Sequence, residues 1–249
     1  MIDRNHVTHA FNQYVAAYNA DDPKIALKIA HTYRVAGLCE RIAPAAGVAN
    51  ASLAWLCGML HDIGRFEQVR RYGTFVDAVS VDHASFGADL LFLEGLLERF
   101  VPALPAAEYR ILETAIRNHS AYRISEGLTA EEQAYCHILR DADKIDIFRV
   151  NCDTPMEDIY NVTTEALRAS AVTEAVKDCF RNRTAVLRSL KQTPIDYLVA
   201  HLCLVFELFY PVSRTIAREQ GYVDRMLAFE SENMDTRAWF EYMRERIWI

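Results

Sequence analysis

The sequence predicts an all-α fold, a helical bundle with a C-terminal helical extension. Apolar residues recur at helical spacing along nearly the whole chain, while the strict alternation of a half-buried strand is almost absent. Helix starts and stops are marked by capping residues, prolines and glycines. The composition, 51% hydrophobic and 24% charged with nine Gly and seven Pro, is that of an ordinary globular chain and excludes disorder. With 249 residues, burial is not limiting. A core over residues 1–155 is expected, with helices over 156–249 packed on it as one compact domain.

Taken in order, Asp22-Pro23 supplies an N-cap followed by proline at the first helical position. The segment DPKIALKIAHTYRVAGLCERIAPAAG then keeps its period until Pro44 and Gly47 stop it. His31 falls mid-helix. A second helix is predicted from about Ala51 to Asp62, ended by Gly64, which can take the left-handed backbone favoured beyond a helix terminus. His61 and Asp62 then lie in its last turn, two side chains costly to bury unless something satisfies them. Residues 65–82, of mixed polarity and containing Gly73, are expected to form a loop or short irregular region over the site. A helix from about His83 to Phe100 follows, ended near Pro102 and Pro105.

PAAEYRILETAIRNHSAY reads as a helix with Pro105 near its start and His119 near its end. Thr129 and Glu132 then form a capping box opening a helix that carries Asp141, Asp143 and Asp146. Pro155 opens a helical remainder with an aromatic end, RAWFEYMRERIWI. Within it, YLVAHLCLVFELFYPV is interrupted by His201 and Glu207 and falls short of the roughly 20 residues needed to cross a bilayer, so it reads as a buried core helix.

The formal charge of −7, with no run of five basic residues, disfavours a nucleic-acid polymer as partner but not a small phosphorylated substrate. No secretory signal opens the chain, so a cytoplasmic location and no membrane partner are expected. Cys39, Cys57, Cys136, Cys152, Cys179 and Cys203 form no CxxC pair and read as inert reduced thiols.

Seven of the eight histidines precede residue 140, and His31, His61, His83 and His119 each fall on or beside a predicted helix. Imidazole and carboxylate together suit a divalent transition metal: Mn, Fe, Co, Ni or Zn rather than Mg.

On these residues the chain resembles the HD-domain superfamily of metal-dependent phosphohydrolases. The family pattern is a His, then a His-Asp pair, then a distant Asp, all on helices around one metal. His31 in AHTYRVA matches the first, His61 and Asp62 in LHDIGR the pair, and Asp143 in RDADKID the last. The resemblance spans roughly residues 20–150 and implies an HD-domain-like helical bundle. His83 in VDHASFGADLL and His119 in AIRNHSAY resemble the extra histidines of two-metal branches. This implies a dinuclear site: His31, His61, Asp62 and Asp143 on one ion, and Asp62, His83 and His119 on the other.

One or two divalent ions would make hydroxide available at neutral pH, so no serine or cysteine nucleophile is required. Arg65, directly after the motif glycine, stands where some relatives bind the substrate phosphate, and a guanidinium suits bidentate phosphate binding. With Asp62 it completes the expected catalytic pair. Arg34, one turn beyond His31, and Lys144, beside Asp143, are further candidates for substrate binding, with rim salt bridges as their alternative. Asp146, Asp82 and Glu67 are candidates to orient ligand histidines, or else solvated carboxylates. His6, His9, His137 and His201 match no motif position and read as surface or core residues.

The expected function is phosphoester hydrolysis of a small phosphorylated metabolite or nucleotide by metal-activated water. The alternative is a non-catalytic helical module with a structural or sensing metal site and a partner-binding tail. Substrate, metal identity and number, oligomeric state and the role of the C-terminal helices are left open by the sequence.

Overall fold

The computed structural model describes residues 2–249, and among them every regular element is helical. Two compact units divide the chain, one running to Asp143 and the other over Lys144–Ile249. No helix among the described residues is long and apolar enough to cross a membrane.

The first unit opens with α1 (Arg4–Val15), capped by the Asp3 carboxylate on the amides of Asn5 and His6. Helix α2 (Pro23–Ile42) begins as its sequence requires, with Asp22 accepting from the Lys24 amide and proline at the first position. Helix α3 (Ala51–Leu60) follows, capped by Asn50. Its apolar residues surround it on nearly every side, which suits a helix enclosed by others. Gly58 is where α3 meets α2: a Cβ there would stand 2.5 Å from the Ala36 Cα. This close approach brings the helix bearing His31 against the helix that ends at His61.

Asp62 does not end a helix but starts one. Helix α4 (Ile63–Tyr72) has Asp62 at its N-cap and closes on Gly73, whose φ of 67° is the left-handed cap. The expected loop over 65–82 is therefore helical in its first half and irregular only from Gly73, apart from a 3₁₀ turn at Asp77–Val79. Gly64 is likewise not a left-handed terminus. It is the point where α4 packs on α5 (His83–Ala88), and a Cβ on it would lie 2.5 Å from the His83 carbonyl oxygen and 2.7 Å from the Gly87 nitrogen.

The helix expected over 83–100 comes in pieces: α5, a π-helical turn at Asp89–Leu93, a break at Gly95 with φ of 78°, and α6 (Leu97–Phe100). Helix α7 (Ala106–Asn118) and helix α8 (Ala130–Asp153) follow the sequence expectation. The capping box is present: the Thr129 amide donates to Glu132 at 2.8 Å, and the Glu132 amide to Thr129 Oγ1 at 3.2 Å. Phe11, Tyr14, Phe66 and Phe100 pack edge to face in this unit's core.

The second unit takes up the end of α8 and adds α9 (Met156–Tyr160), α10 (Thr164–Ala169), α11 (Glu174–Arg181), α12 (Pro194–Leu202), α13 (Pro211–Gln220), α14 (Tyr222–Leu227) and α15 (Met234–Arg246). The apolar run expected as one helix is split. It is α-helical to Leu202, 3₁₀ over Cys203–Glu207 and extended at Leu208, before Pro211 restarts the helix. The aromatic C-terminal segment supplies core: Trp239 and Phe240 are buried, and Trp239 meets the Tyr242 ring at 4.8 Å and the Phe180 ring at 5.8 Å. All six cysteines are free; Cys152 and Cys179 are half-buried, the others buried.

Candidate metal centre

His61 and Asp62 stand at the joint between α3 and α4, so one side chain finishes a helix and the next begins another. The joint turns both inward. Asp62 makes no capping hydrogen bond, and both its oxygens face imidazoles instead. Oδ2 lies 3.5 Å from His31 Nε2 and 3.4 Å from His61 Nε2. Oδ1 lies 3.6 Å from His83 Nε2 and 3.7 Å from His119 Nε2. Asp143 joins the first group, its Oδ1 3.1 Å from His31 Nε2 and 3.9 Å from His61 Nε2.

The six side chains thus come from α2, the α3–α4 joint, α5, the end of α7, and α8. They form two groups sharing one carboxylate: His31, His61, Asp62 and Asp143, and Asp62, His83 and His119. In two buried triads, His31–His61–Asp62 and Asp62–His83–His119, the ligand atoms lie within 4.8 Å of one another.

Hydrogen bonding decides what these atoms can do. His61 Nδ1 lies 2.7 Å from the Gly58 carbonyl, His119 Nδ1 2.7 Å from the Ile116 carbonyl, and His83 Nδ1 2.7 Å from Asp77 Oδ2. Carbonyl and carboxylate oxygens only accept, so each Nδ1 carries the proton and each neutral ring presents a bare Nε2 lone pair. Two such lone pairs face each other 3.0 Å apart on His83 and His119. They form no hydrogen bond and repel. A cation between or beside them removes the conflict, and this nitrogen and oxygen donor set fits a divalent transition metal.

Charge agrees. Burial pushes the His83 imidazole down to about 4, against the opposing pull of Asp77. Burial lowers His61 too, with Asp62 opposing. Burial raises the Asp62 carboxyl, but the Lys28 ammonium leads the groups that outweigh it and hold it well below the usual carboxylate range. Asp143 is held low in the same way, chiefly by its bond to His31. At neutral pH His61 and His83 are therefore deprotonated beside ionised Asp62 and Asp143, the form that binds metal.

Arg65 lies in the first turn of α4 with its Nε 3.7 Å from Asp62 Oδ1. Its Nη1 is consumed by Gln68 Oε1, the Phe75 carbonyl and Asp77 Oδ1 at 2.7–2.8 Å. Nε is buried and pairs with Asp62 without a hydrogen bond, so Nη1 carries all of the guanidinium's hydrogen bonds to protein. Arg34 is half-buried one turn beyond His31 on α2, and Lys144 is buried as the residue after Asp143 on α8. Asp146 is buried on α8.

Glu67 and Asp82 touch no ligand histidine. The former is buried against Tyr18, Arg70 and Arg71, and the latter caps α5 at the Ser85 amide. The partner of His83 is Asp77, which sequence reasoning passes over because the contact needs a six-residue loop to fold back. Lys28 is also missed: its Nζ sits 2.6 Å from Asp62 Oδ2 and 5.7 Å from the Phe75 ring. The i,i+3 argument that picks Arg34 from His31 picks Lys28 equally well in the other direction.

Comparison with known proteins gives one finding: the family model described as HD domain matches residues 29–147. No curated protein and no solved structure matches the chain.

Proposed function

With an HD domain over residues 29–147, we propose that the chain is a metal-dependent phosphohydrolase acting on a phosphoester of a small phosphorylated metabolite or nucleotide. The observation that carries the reading is the pair of histidine groups sharing Asp62, each histidine Nε2 lying 3.4–3.7 Å from one of its oxygens. His31, His61, Asp62 and Asp143 would hold one divalent ion, and Asp62, His83 and His119 a second. Ions there supply water acidified toward neutral pH and offset the charge of phosphoryl oxygens.

The chain's own residues do the rest. The carbonyls of Gly58 and Ile116 and the Asp77 carboxylate fix the ring tautomers. Arg65, paired with Asp62 through its Nε, sets a guanidinium charge beside the place a phosphate would take at that carboxylate. Lys28 adds a second cation at the same carboxylate.

A panel of phosphoesters and nucleotides assayed with Mn, Fe, Co, Ni, Zn and Mg tests the proposal. Turnover that depends on the metal and is abolished in Asp62→Ala is expected. Metal-loaded protein with no turnover on any phosphoester, or turnover unaffected by Asp62→Ala, would overturn it.

A further inference from the structure

Asp77 lies in the irregular segment after α4, outside the HD motif, yet one carboxylate there serves both halves of the site. Its Oδ2 receives His83 Nδ1–H at 2.7 Å. Its Oδ1 receives Arg65 Nη1 at 2.8 Å and Gln68 Nε2 at 2.9 Å. Gln68 fastens the segment further through Ser80 Oγ at 2.9 Å and the Val81 carbonyl at 3.1 Å. The side chain is only 18% exposed, so these bonds are shielded from competing water.

We infer that Asp77 is a positioning residue that ties the second metal site to the anion-binding arginine, so that one carboxylate sets His83 for metal and Arg65 for phosphate. The inference rests on the function proposed above and extends it to the control of that site.

The geometry leaves Asp77 little freedom to serve one client without the other. An ionised carboxylate accepts on both oxygens, whereas asparagine would turn an NH₂ toward either the imidazole N–H or the guanidinium, donor against donor. Losing Oδ2 frees His83 to flip or to move its proton to Nε2, which removes its lone pair from Asp62. Losing Oδ1 removes one of three acceptors that hold the Nη1 end of Arg65 and keep its other edge beside Asp62. Asp82 is the internal control, because it sits next to His83 in sequence but only caps α5.

The experiment is calorimetric titration of Co²⁺ into metal-free wild type, Asp77→Asn, Asp77→Ala and Asp82→Asn, with inorganic phosphate then titrated into each metal-saturated protein. The Co²⁺ absorption spectrum is recorded alongside. Wild type and Asp82→Asn are expected to bind two equivalents.

Both Asp77 variants are expected to bind the first equivalent normally and the second about 10- to 100-fold more weakly, the usual cost of losing an outer partner of a ligating histidine. Phosphate affinity should fall in parallel, to the level of Arg65→Ala. A changed second-equivalent spectrum would mark altered ligation, which simple destabilisation of the fold does not produce. Asp77→Glu, which keeps the charge, is expected to restore part of both affinities and covers the case in which Asp77→Ala fails to fold.

Two equivalents bound by the Asp77 variants with wild-type affinity, or phosphate affinity unchanged, would overturn this inference and leave the hydrolase reading standing. A wild-type protein that binds no Co²⁺ would overturn the hydrolase reading, and this inference with it.

Discussion

Asp62 in the first unit and Asp196 in the second are both aspartates at a helix start, and both are almost sealed from water, at 2% and 0% exposed. Their surroundings differ in kind. Asp196 closes the N-terminus of α12: its oxygens accept from the amides of Thr173, Gln192 and Thr193 and from Thr173 Oγ1, at 2.9–3.1 Å. It is satisfied by the chain itself. Asp62 takes no capping bond; Lys28 and, at 3.7 Å, Arg65 face it, and four imidazole Nε2 atoms lie 3.4–3.7 Å from its oxygens, those of His61, His83 and His119 carrying lone pairs of their own. A buried carboxylate met by backbone donors is architecture, whereas one ringed by imidazole lone pairs as well as side-chain cations is arranged to share a metal ion.

The sharpest break of this comparison is the pair Asp62→Ala and Asp196→Ala. The first should cost on the order of a thousandfold in turnover, comparable to losing a main electrostatic element of an active site, with metal content collapsing and helicity kept. The second should leave metal binding intact yet lower stability by about 1–3 kcal/mol, because four part-buried donors lose their acceptor. Elemental analysis and denaturant unfolding read both. The contrast fails if Asp196→Ala loses metal or Asp62→Ala keeps it.

Gly64→Ala tests whether the first unit's packing exists to bring its histidines together. A Cβ at 2.5 Å from the His83 carbonyl must push α4 and α5 apart, and overpacking of this kind costs about 1–3 kcal/mol. Metal titration should show the second equivalent weakened more than the first, since His83 lies on α5 whereas the first group meets α4 only at its N-cap, Asp62. Equal weakening of both equivalents would mean that the α4–α5 contact serves the whole centre.

A smaller effect is expected for Arg65→Lys. The charge survives but the planar guanidinium held by Gln68, Phe75 and Asp77 does not, so metal content should hold while phosphate binds about tenfold more weakly, or about 1.4 kcal/mol. Inorganic phosphate as a competitive inhibitor measures this, and unchanged inhibition would remove Arg65 from the anion site.

The smallest effect belongs to the second unit and concerns pH. His201 Nδ1 lies 2.9 Å from Asn151 Oδ1, beside Tyr160, and burial pushes its imidazole down to about 4. A folded-state value below the ordinary one near 6.5 means that the neutral ring stabilises the fold above that pH. The contribution is lost as pH falls from about 6.5 toward 4. Melting temperatures of wild type should therefore drop more steeply over that window than those of His201→Gln. Parallel curves would show that the ring titrates alike in the folded and unfolded chain.

The sequence was legible where physics is local. Asp22-Pro23 starts α2 because a side-chain oxygen and a missing N–H act within one turn, and Thr129 with Glu132 opens α8 for the same reason. The His-Asp pair could be singled out because adjacent polar residues after ASLAWLCGML have no local partner. Gly64 was misread because a glycine needed for space and one needed for a positive φ are the same letter. The C-terminal apolar run was read as one helix because periodicity does not report a 3₁₀ turn before Pro211.

What the sequence determined by itself is thus the all-α class, most helix starts, and the residue types suited to a metal. What only the tertiary structure decided is which nitrogen of each ring carries a proton, that Asp62 stands between two histidine groups, and that Asp77 and Lys28 belong to the centre. The reason is distance along the chain. Caps and turns are settled by neighbours a few residues apart, but an imidazole from α2 and one from the end of α7 reach the same carboxylate only after the helices between them have packed.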